Sequence, residues 1–151
     1  MLCATLLSSC GGGAGDSQTG GNTDKPPATE KKTNDGKGVG EIKEVALNSP
    51  LKASMVDKGK AIYDMKCSAC HKLTDQRVVG PGWKGVTTKR KPEWIMNMTT
   101  NVEVMLAEDP AAQALLKECL VRMPNQNLSI GDARDVLEFM FANDGGTVGG
   151  N

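Results

Sequence analysis

The sequence predicts an all-α domain, and two observations lead to that prediction. Apolar side chains recur at helical spacing between residues 49 and 143, whereas no stretch alternates polar and apolar residues as a half-buried strand does. Proline and capping residues stand where such helices would begin. Aromatic residues make up only 3% of the chain, so something other than their rings has to fill the centre of a small domain.

Four helices are predicted, in chain order. The first runs from about Ser54 to Lys66, where apolar residues recur on one face. Pro92 and Pro110 begin the next two helices. Proline suits the first position of a helix because its φ angle is already helical, and because the backbone N–H that it lacks would have no hydrogen-bond partner within the helix there. Ser129 caps the last helix, with a side-chain oxygen that can accept from the first free backbone N–H groups.

The regions between and around these helices are irregular. Residues 73–91 and 121–128 form stretches that a compact domain tolerates only when something orders them. Residues 11–48 and 144–151 are rich in small and polar residues and cannot bury enough apolar surface to offset chain entropy. We therefore expect a disordered, flexible tether over 11–48, one folded domain over 49–143 and a disordered tail over 144–151.

Length and charge exclude several classes of function. The 151 residues fit a single domain with unstructured flanks. The 18 basic and 18 acidic side chains balance, so no net positive field attracts nucleic acid. No apolar run reaches the ~18 residues that a membrane-spanning helix requires. We expect a monomer that binds no nucleic acid.

Residues 1–10 have the character of an export signal, a short apolar stretch that ends in small residues. The sequence from Leu7 to Cys10 resembles the bacterial lipobox, in which cleavage precedes a cysteine whose thiol then carries diacylglycerol. Cys10 is therefore a candidate lipidation site, and the tether would separate the lipid anchor from the folded domain. The alternative is a disordered N-terminus in which Cys10 occurs by chance.

The residues best suited to bind a cofactor lie in the segment Cys67–His71, which has the sequence CSACH. Two thiols three positions apart, followed directly by an imidazole, are typical of a c-type haem attachment site. The two cysteines add across the two vinyl groups of one porphyrin, and His71 turns under the ring to bind the iron. One covalently attached haem c would also supply the large flat apolar body that the aromatic content does not.

Three other interpretations of this segment are weaker. A redox dithiol expects a βαβ context, which the helical pattern does not provide. A zinc site would have to combine Cys119 with Cys67, Cys70 and His71, and ligands at adjacent positions suit one tetrahedral centre poorly. A disulfide between the two cysteines would leave the only histidine unexplained.

The iron needs a sixth ligand or keeps an open position. His71 is the only histidine, so a second imidazole is excluded. Most of the eight methionines stand at helical positions, where methionine ordinarily fills the core. Met123 differs, because it lies in an irregular segment directly before Pro124, where the backbone can place a thioether across the ring. Met123 is the expected ligand, and the helical Met96 and Met98 are weaker candidates.

Over about Met55 to Phe141 the sequence resembles the small class I bacterial cytochromes c. Residues 80–85, GPGWKG, are similar to a family loop whose proline carbonyl accepts a hydrogen bond from the proximal imidazole. The resemblance implies that Pro81 orients His71 and that Trp83 stands at the haem where the family usually has leucine. It also implies that Gly59 lets the first helix cross the last one closely, against Val136, Leu137 and Met140.

The resemblance implies an electron-transfer protein and not an enzyme. A His/Met-ligated haem c would carry one electron between redox proteins of a respiratory chain, such as a membrane donor and a terminal reductase or oxidase. The location would be the periplasmic side of the cell envelope, with a lipid anchor. The basic cluster of Lys84 and Lys89–Lys91 would steer acidic partners, or is an ordinary solvated loop. The alternative function is a catalytic or gas-sensing haem protein with a labile sixth ligand.

Overall fold

The computed structural model describes residues 35–119 and 121–150, which form six helices and two very short strands. The predictions for Cys10 and for residues 11–34 lie outside the described residues. Within the described ranges, no helix is long and apolar enough to cross a membrane. The elements in chain order are β1 (Leu51–Lys52), α1 (Ala53–Lys66), α2 (Val86–Lys89), α3 (Pro92–Thr100), α4 (Val102–Glu108), α5 (Pro110–Cys119), α6 (Ile130–Asn143) and β2 (Val148–Gly149).

The helical prediction is confirmed, and the predicted start signals act as expected. The helices α3 and α5 begin at Pro92 and Pro110. At α6, the Ser129 hydroxyl accepts from the backbone N–H of Asp132, whose carboxylate accepts in turn from the N–H of Ser129. The short helices α2 and α4 were not predicted, because four and seven residues are too few to establish a helical period.

The segment before α1 corrects the prediction of a disordered tether through residue 48. Residues 35–48 pack on the domain, and Ile42 is buried there. The buried side chain of Asn97 accepts from the Ile42 N–H at 3.1 Å and donates to the carbonyls of Ile42 at 2.9 Å and Lys37 at 3.1 Å. One side-chain amide on α3 thus provides hydrogen-bond partners for the backbone of a segment whose own composition favours disorder.

The end of the chain corrects the prediction of a disordered tail over 144–151. The strand β2 pairs in parallel with β1, so that Leu51 lies opposite Val148 and Lys52 opposite Gly149. The N–H of Leu51 also donates to the carbonyl of Thr147 at 2.9 Å. Backbone pairing with a distant strand requires no apolar side chain in the tail, so the hydrophobic pattern carries no sign of it.

The core forms around the crossing of α1 and α6. A Cβ atom placed on Gly59 would lie 2.1 Å from the carbonyl oxygen of Asp135 and 2.8 Å from the Cβ of Phe139. Only glycine allows this approach of the two backbones. Beside the crossing, the expected partner residues are buried, namely Val136, Leu137 and Met140. This crossing fixes the position of α1, and the segment with the two cysteines and the histidine follows directly after this helix.

A fully buried carboxylate joins the segment before α1 to the last helix. Glu138 accepts from the Asn48 amide at 3.0 Å and from the Lys52 N–H at 2.8 Å, and it pairs with Arg134 one helical turn earlier. The Arg134 guanidinium also donates to the carbonyl of Ala46 at 3.0 Å. Every partner of this buried charge therefore helps to hold residues 46–52 against α6.

The Glu138 network predicts an acid-sensitive stability. Burial raises the pKa of Glu138, but the hydrogen bonds from Lys52, Arg134 and Asn48 outweigh it and lower the pKa below its ordinary value. The carboxylate therefore stabilises the fold fully above the unfolded-state pKa of 4.5, and this contribution is lost as the pH falls through the lowered pKa. Glu138→Gln should reduce the free energy of unfolding by about 2 kcal/mol at pH 7.

Urea unfolding of the holoprotein across pH 3 to 7 measures this contribution. The difference between wild type and Glu138→Gln should shrink as the pH falls below about 4. A deficit of the same size at every pH would contradict the assignment of the effect to the carboxylate charge.

Candidate functional site

A cavity of about 670 Å³ lies among α1, α3, α5 and the loops that follow α1 and α5. Its volume falls within the roughly 300–1,000 Å³ of ordinary cofactor pockets, and most of its wall is apolar. All six residues predicted for the site line this cavity: Cys67, Cys70, His71, Pro81, Trp83 and Met123. The structure therefore brings together three parts of the chain that lie far apart in sequence.

The two thiols reach the cavity because the chain turns back on itself at the end of α1. The N–H of Cys67 donates to the carbonyl of Tyr63 at 2.9 Å and closes the helix. The carbonyl of Cys67 then accepts from the N–H groups of Cys70 at 3.0 Å and His71 at 2.9 Å. This single turn presents two thiols and one imidazole to the same space.

The state of the thiols fits neither a disulfide nor a reactive dithiol. Cys67 and Cys70 are both free. Burial raises the pKa of the Cys67 thiol to about 11, whereas a redox-active dithiol needs a lowered pKa. Within residues 35–119 and 121–150, no three His, Cys, Asp or Glu side chains are placed to hold a metal ion together, which argues against the zinc interpretation.

His71 is held in one orientation and one tautomer. Its Nδ1 lies 2.8 Å from the carbonyl oxygen of Pro81, and since a carbonyl can only accept, Nδ1 carries the proton and donates. Burial lowers the pKa of His71 by more than this hydrogen bond raises it, so the ring is neutral and Nε2 keeps its lone pair. The hydrogen bond is the one that the resemblance implied.

Two neighbours fix the position of this imidazole. The Tyr63 hydroxyl donates to the carbonyl of His71 at 2.7 Å. A Cβ atom on Gly80 would lie only 2.4 Å from the Cε1 of His71, so this position needs glycine for the ring to stand where it does. The ring is thus fixed from its backbone and from the loop beside it.

Trp83 belongs both to the core and to the cavity wall. Its ring is buried, with its centroid 4.9 Å from that of Tyr63 and 5.6 Å from that of His71. The loop that carries it is tied to the end of α6, where the Asp144 carboxylate accepts from the N–H groups of Gly85 at 2.6 Å and Thr87 at 3.0 Å. The indole therefore stands on a fixed loop beside the imidazole.

Met123 is a half-buried residue of the non-helical segment after α5, and its side chain lines the cavity. Met98 on α3 and Met140 on α6 also line it. Met96, one of the two weaker ligand candidates, is buried and does not contribute to the cavity wall. The structure thus keeps Met123 and Met98 as ligand candidates and removes Met96.

The sequence analysis did not identify α5 as a wall of the cavity. Four residues of α5 line it at positions i, i+3, i+4 and i+7, which are Ala112, Leu115, Leu116 and Cys119. Cys119 is half-buried at this wall. The helical spacing of these residues shows that α5 has an apolar face, but the pattern does not say whether that face meets protein or a cofactor.

The arrangement fits a flat apolar group such as haem. Cys67 and Cys70 provide two thiols on one wall, the neutral His71 provides a nitrogen donor, and Met123 provides a thioether sulfur. The remaining wall is mostly apolar, as a porphyrin face requires.

Comparisons with known proteins identify the family of this chain. The family model for cytochrome c matches residues 56–142. A cytochrome c from Rhodothermus marinus is 32% identical over 70% of this chain and 90% of that one, with a TM-score of 0.67. An engineered form of that cytochrome, bound to a carbene intermediate, is 31% identical over the same shares with a TM-score of 0.63.

A cytochrome c domain from Pseudomonas putida is also similar, at 25% identity over 57% of this chain and 87% of that one, with a TM-score of 0.51. No curated protein sequence matches significantly. The family match covers more than half of the chain and includes the CSACH segment, and members of this family carry covalently attached haem c. The chain therefore belongs to the cytochrome c family and is a haem-based electron carrier.

Proposed function

We propose that the protein is a one-electron carrier with one haem c attached through Cys67 and Cys70 and with His71 and Met123 as the iron ligands. The observation that carries this proposal is the convergence of these four side chains on one largely apolar cavity. When bound, haem supplies a reversible Fe(III)/Fe(II) couple, and a thioether ligand favours the reduced form.

The protein's own residues would do the rest by fixing geometry. The carbonyl of Pro81 accepts a hydrogen bond from Nδ1 of His71. This bond makes the Nε2 lone pair a stronger metal ligand and prevents rotation of the ring. The wall formed by Trp83 and α5 would keep water away from a group bound in the cavity. Electron transfer between a haem held in this way and a partner protein would need no bond to form or break.

The alternative function, catalysis or gas sensing at a labile sixth position, finds little support in the cavity wall. A peroxidase needs an acid–base group near the open coordination position. The only histidine is already hydrogen-bonded to Pro81, and Asp75 is the one carboxylate among the described residues that line the cavity. The engineered Rhodothermus marinus protein, bound to a carbene intermediate, shows that a related fold can accept a reactive group after engineering.

A visible spectrum of the purified holoprotein tests the proposal against this alternative. A low-spin spectrum that shows sharp bands on reduction and does not change with carbon monoxide is the expected result. A high-spin spectrum that shifts when carbon monoxide is added would instead favour catalysis or gas sensing.

The charge around the cavity supports an acidic redox partner. Although the whole chain has no net charge, the cavity wall includes six basic side chains against one acidic one. Arg77 and Arg122 are paired with nearby glutamates, whereas Lys84 and Lys89 are exposed. The basic residues of the wall are Lys66, Arg77, Lys84, Lys89, Arg90 and Arg122. Such local charge speeds the encounter with an acidic surface without making the complex permanent.

We further propose a periplasmic location with a lipid anchor at Cys10. Covalent haem attachment in bacteria takes place outside the cytoplasmic membrane, and the sequence before Cys10 has the export character described above. Two signals, one for export and one for haem attachment, therefore point to the same compartment. The protein would act as a monomer that meets its partners at the membrane surface.

Cys10→Ala tests the anchor. The variant should move from the membrane fraction to the soluble periplasmic fraction, because a diacylglycerol chain is the proposed attachment. Fractionation followed by the visible spectrum of each fraction measures the change. Cys3→Ala is the matched control and should stay with the membrane, and a Cys10→Ala protein that also stays there would contradict the anchor.

A further inference from the structure

Asp109 is a buried carboxylate that the proposed function does not use. It lies between α4 and α5 and is 1% exposed. Its Oδ1 accepts from the N–H of Ala112 at 2.8 Å and from the indole Nε1 of Trp94 at 3.0 Å. In the part of the chain that the structure describes, no Lys, Arg or His forms an ion pair with it.

Helix capping accounts for the place of Asp109 but not for its charge. Asparagine and serine cap a helix about as well as aspartate and bring no charge into the interior. Burying a carboxylate without a cation is costly. Here two N–H donors and the N-terminal end of the ten-residue α5 face the carboxylate. The site is built to keep a negative charge inside the domain.

Both hydrogen-bond donors of Asp109 belong to residues of the cavity wall. Trp94 and Ala112 line the cavity directly. The carboxylate of Asp109 is therefore separated from the cavity only by the Trp94 indole and by Ala112. Arg90 stands over the face of the same indole, 4.6 Å from its centroid, and also lines the cavity. In this largely apolar surrounding, a charge acts over a longer distance than it does in water.

We propose that Asp109 sets the reduction potential of the haem. Its buried negative charge stabilises the more positive ferric state relative to the ferrous state and so lowers the potential. Its hydrogen bond to Trp94 holds the indole at the cavity wall, which makes Asp109 a positioning residue as well. This inference rests on the proposed function, because it requires a haem in the cavity that Trp94 lines.

Asp109→Asn in the holoprotein tests the charge with little change of shape. The asparagine Oδ1 can keep both hydrogen bonds while the charge disappears. We expect the Fe(III)/Fe(II) equilibrium to shift about tenfold toward Fe(II), which is a rise of ~59 mV for one electron, with an unchanged visible spectrum. Asp57→Asn, the same change at an exposed residue of α1, is the control and should leave the potential unchanged.

The outcomes separate this proposal from the proposed function. A wild-type protein without a haem spectrum would overturn the proposed function itself. A normal spectrum with equal potentials in wild type and Asp109→Asn, or an equal rise in Asp57→Asn, would overturn the role of Asp109 alone. Asp109→Ser keeps a capping oxygen and removes the charge, so it gives the same test if Asp109→Asn accumulates poorly.

Discussion

Met123→Ala is expected to lower the reduction potential and to open the sixth coordination position to carbon monoxide. A thioether ligand stabilises Fe(II), and alanine provides no donor atom in its place. The potential should fall by about 0.1 V or more, within the ~0.8 V range over which axial ligands act. Redox titration followed by visible absorption, together with a carbon monoxide difference spectrum, measures both effects.

Met98→Ala provides the matched control, because Met98 also lines the cavity but lies within α3. This variant should lose some stability through the missing side chain and keep the wild-type potential and its indifference to carbon monoxide. If Met98→Ala opens the iron and Met123→Ala does not, the sixth ligand comes from α3 and the assignment of Met123 is wrong.

Gly59→Ala should destabilise the protein by about 3 kcal/mol, at the upper end of the range for overpacked cores. The added Cβ would lie 2.1 Å from the backbone carbonyl of Asp135, and a backbone atom cannot move aside as the end of a flexible side chain can. Helix propensity alone predicts the opposite sign, since alanine favours a helix interior over glycine by up to about 1 kcal/mol. Urea unfolding of the holoprotein measures the difference.

Gly131→Ala is the natural comparison for this variant. Its Cβ would meet only the Ser129 hydroxyl, at an ordinary contact distance of 3.6 Å, so its stability should be unchanged or slightly higher. A gain of stability in both variants would show that α1 and α6 do not approach as closely as described.

Local signals in the sequence were sufficient for much of the fold. Pro92, Pro110 and Ser129 mark helix starts because their effect depends on a few neighbouring residues. The ordered segment 35–48 was not predictable in this way. Its order depends on the buried amide of Asn97, which is 55 positions away from its partner Ile42 and has no distinctive sequence context.

The residues of the candidate site also differ in how far the sequence alone could predict them. Cys67, Cys70 and His71 follow from a motif whose spacing is set by covalent chemistry, and Met123 follows from its place in an irregular segment. Pro81 follows from the family resemblance. The apolar face of α5 and the carboxylate of Asp109 depend on how separate helices meet around the cavity. A sequence shows that such residues favour burial but not what they are buried against.

The intact mass of the mature polypeptide, purified under denaturing conditions from cells that can mature c-type cytochromes, tests directly whether haem is covalently attached. We expect a polypeptide heavier by one haem, and loss of that added mass when Cys67 and Cys70 are both replaced by serine. A colourless wild-type protein with the mass of the bare polypeptide would contradict it.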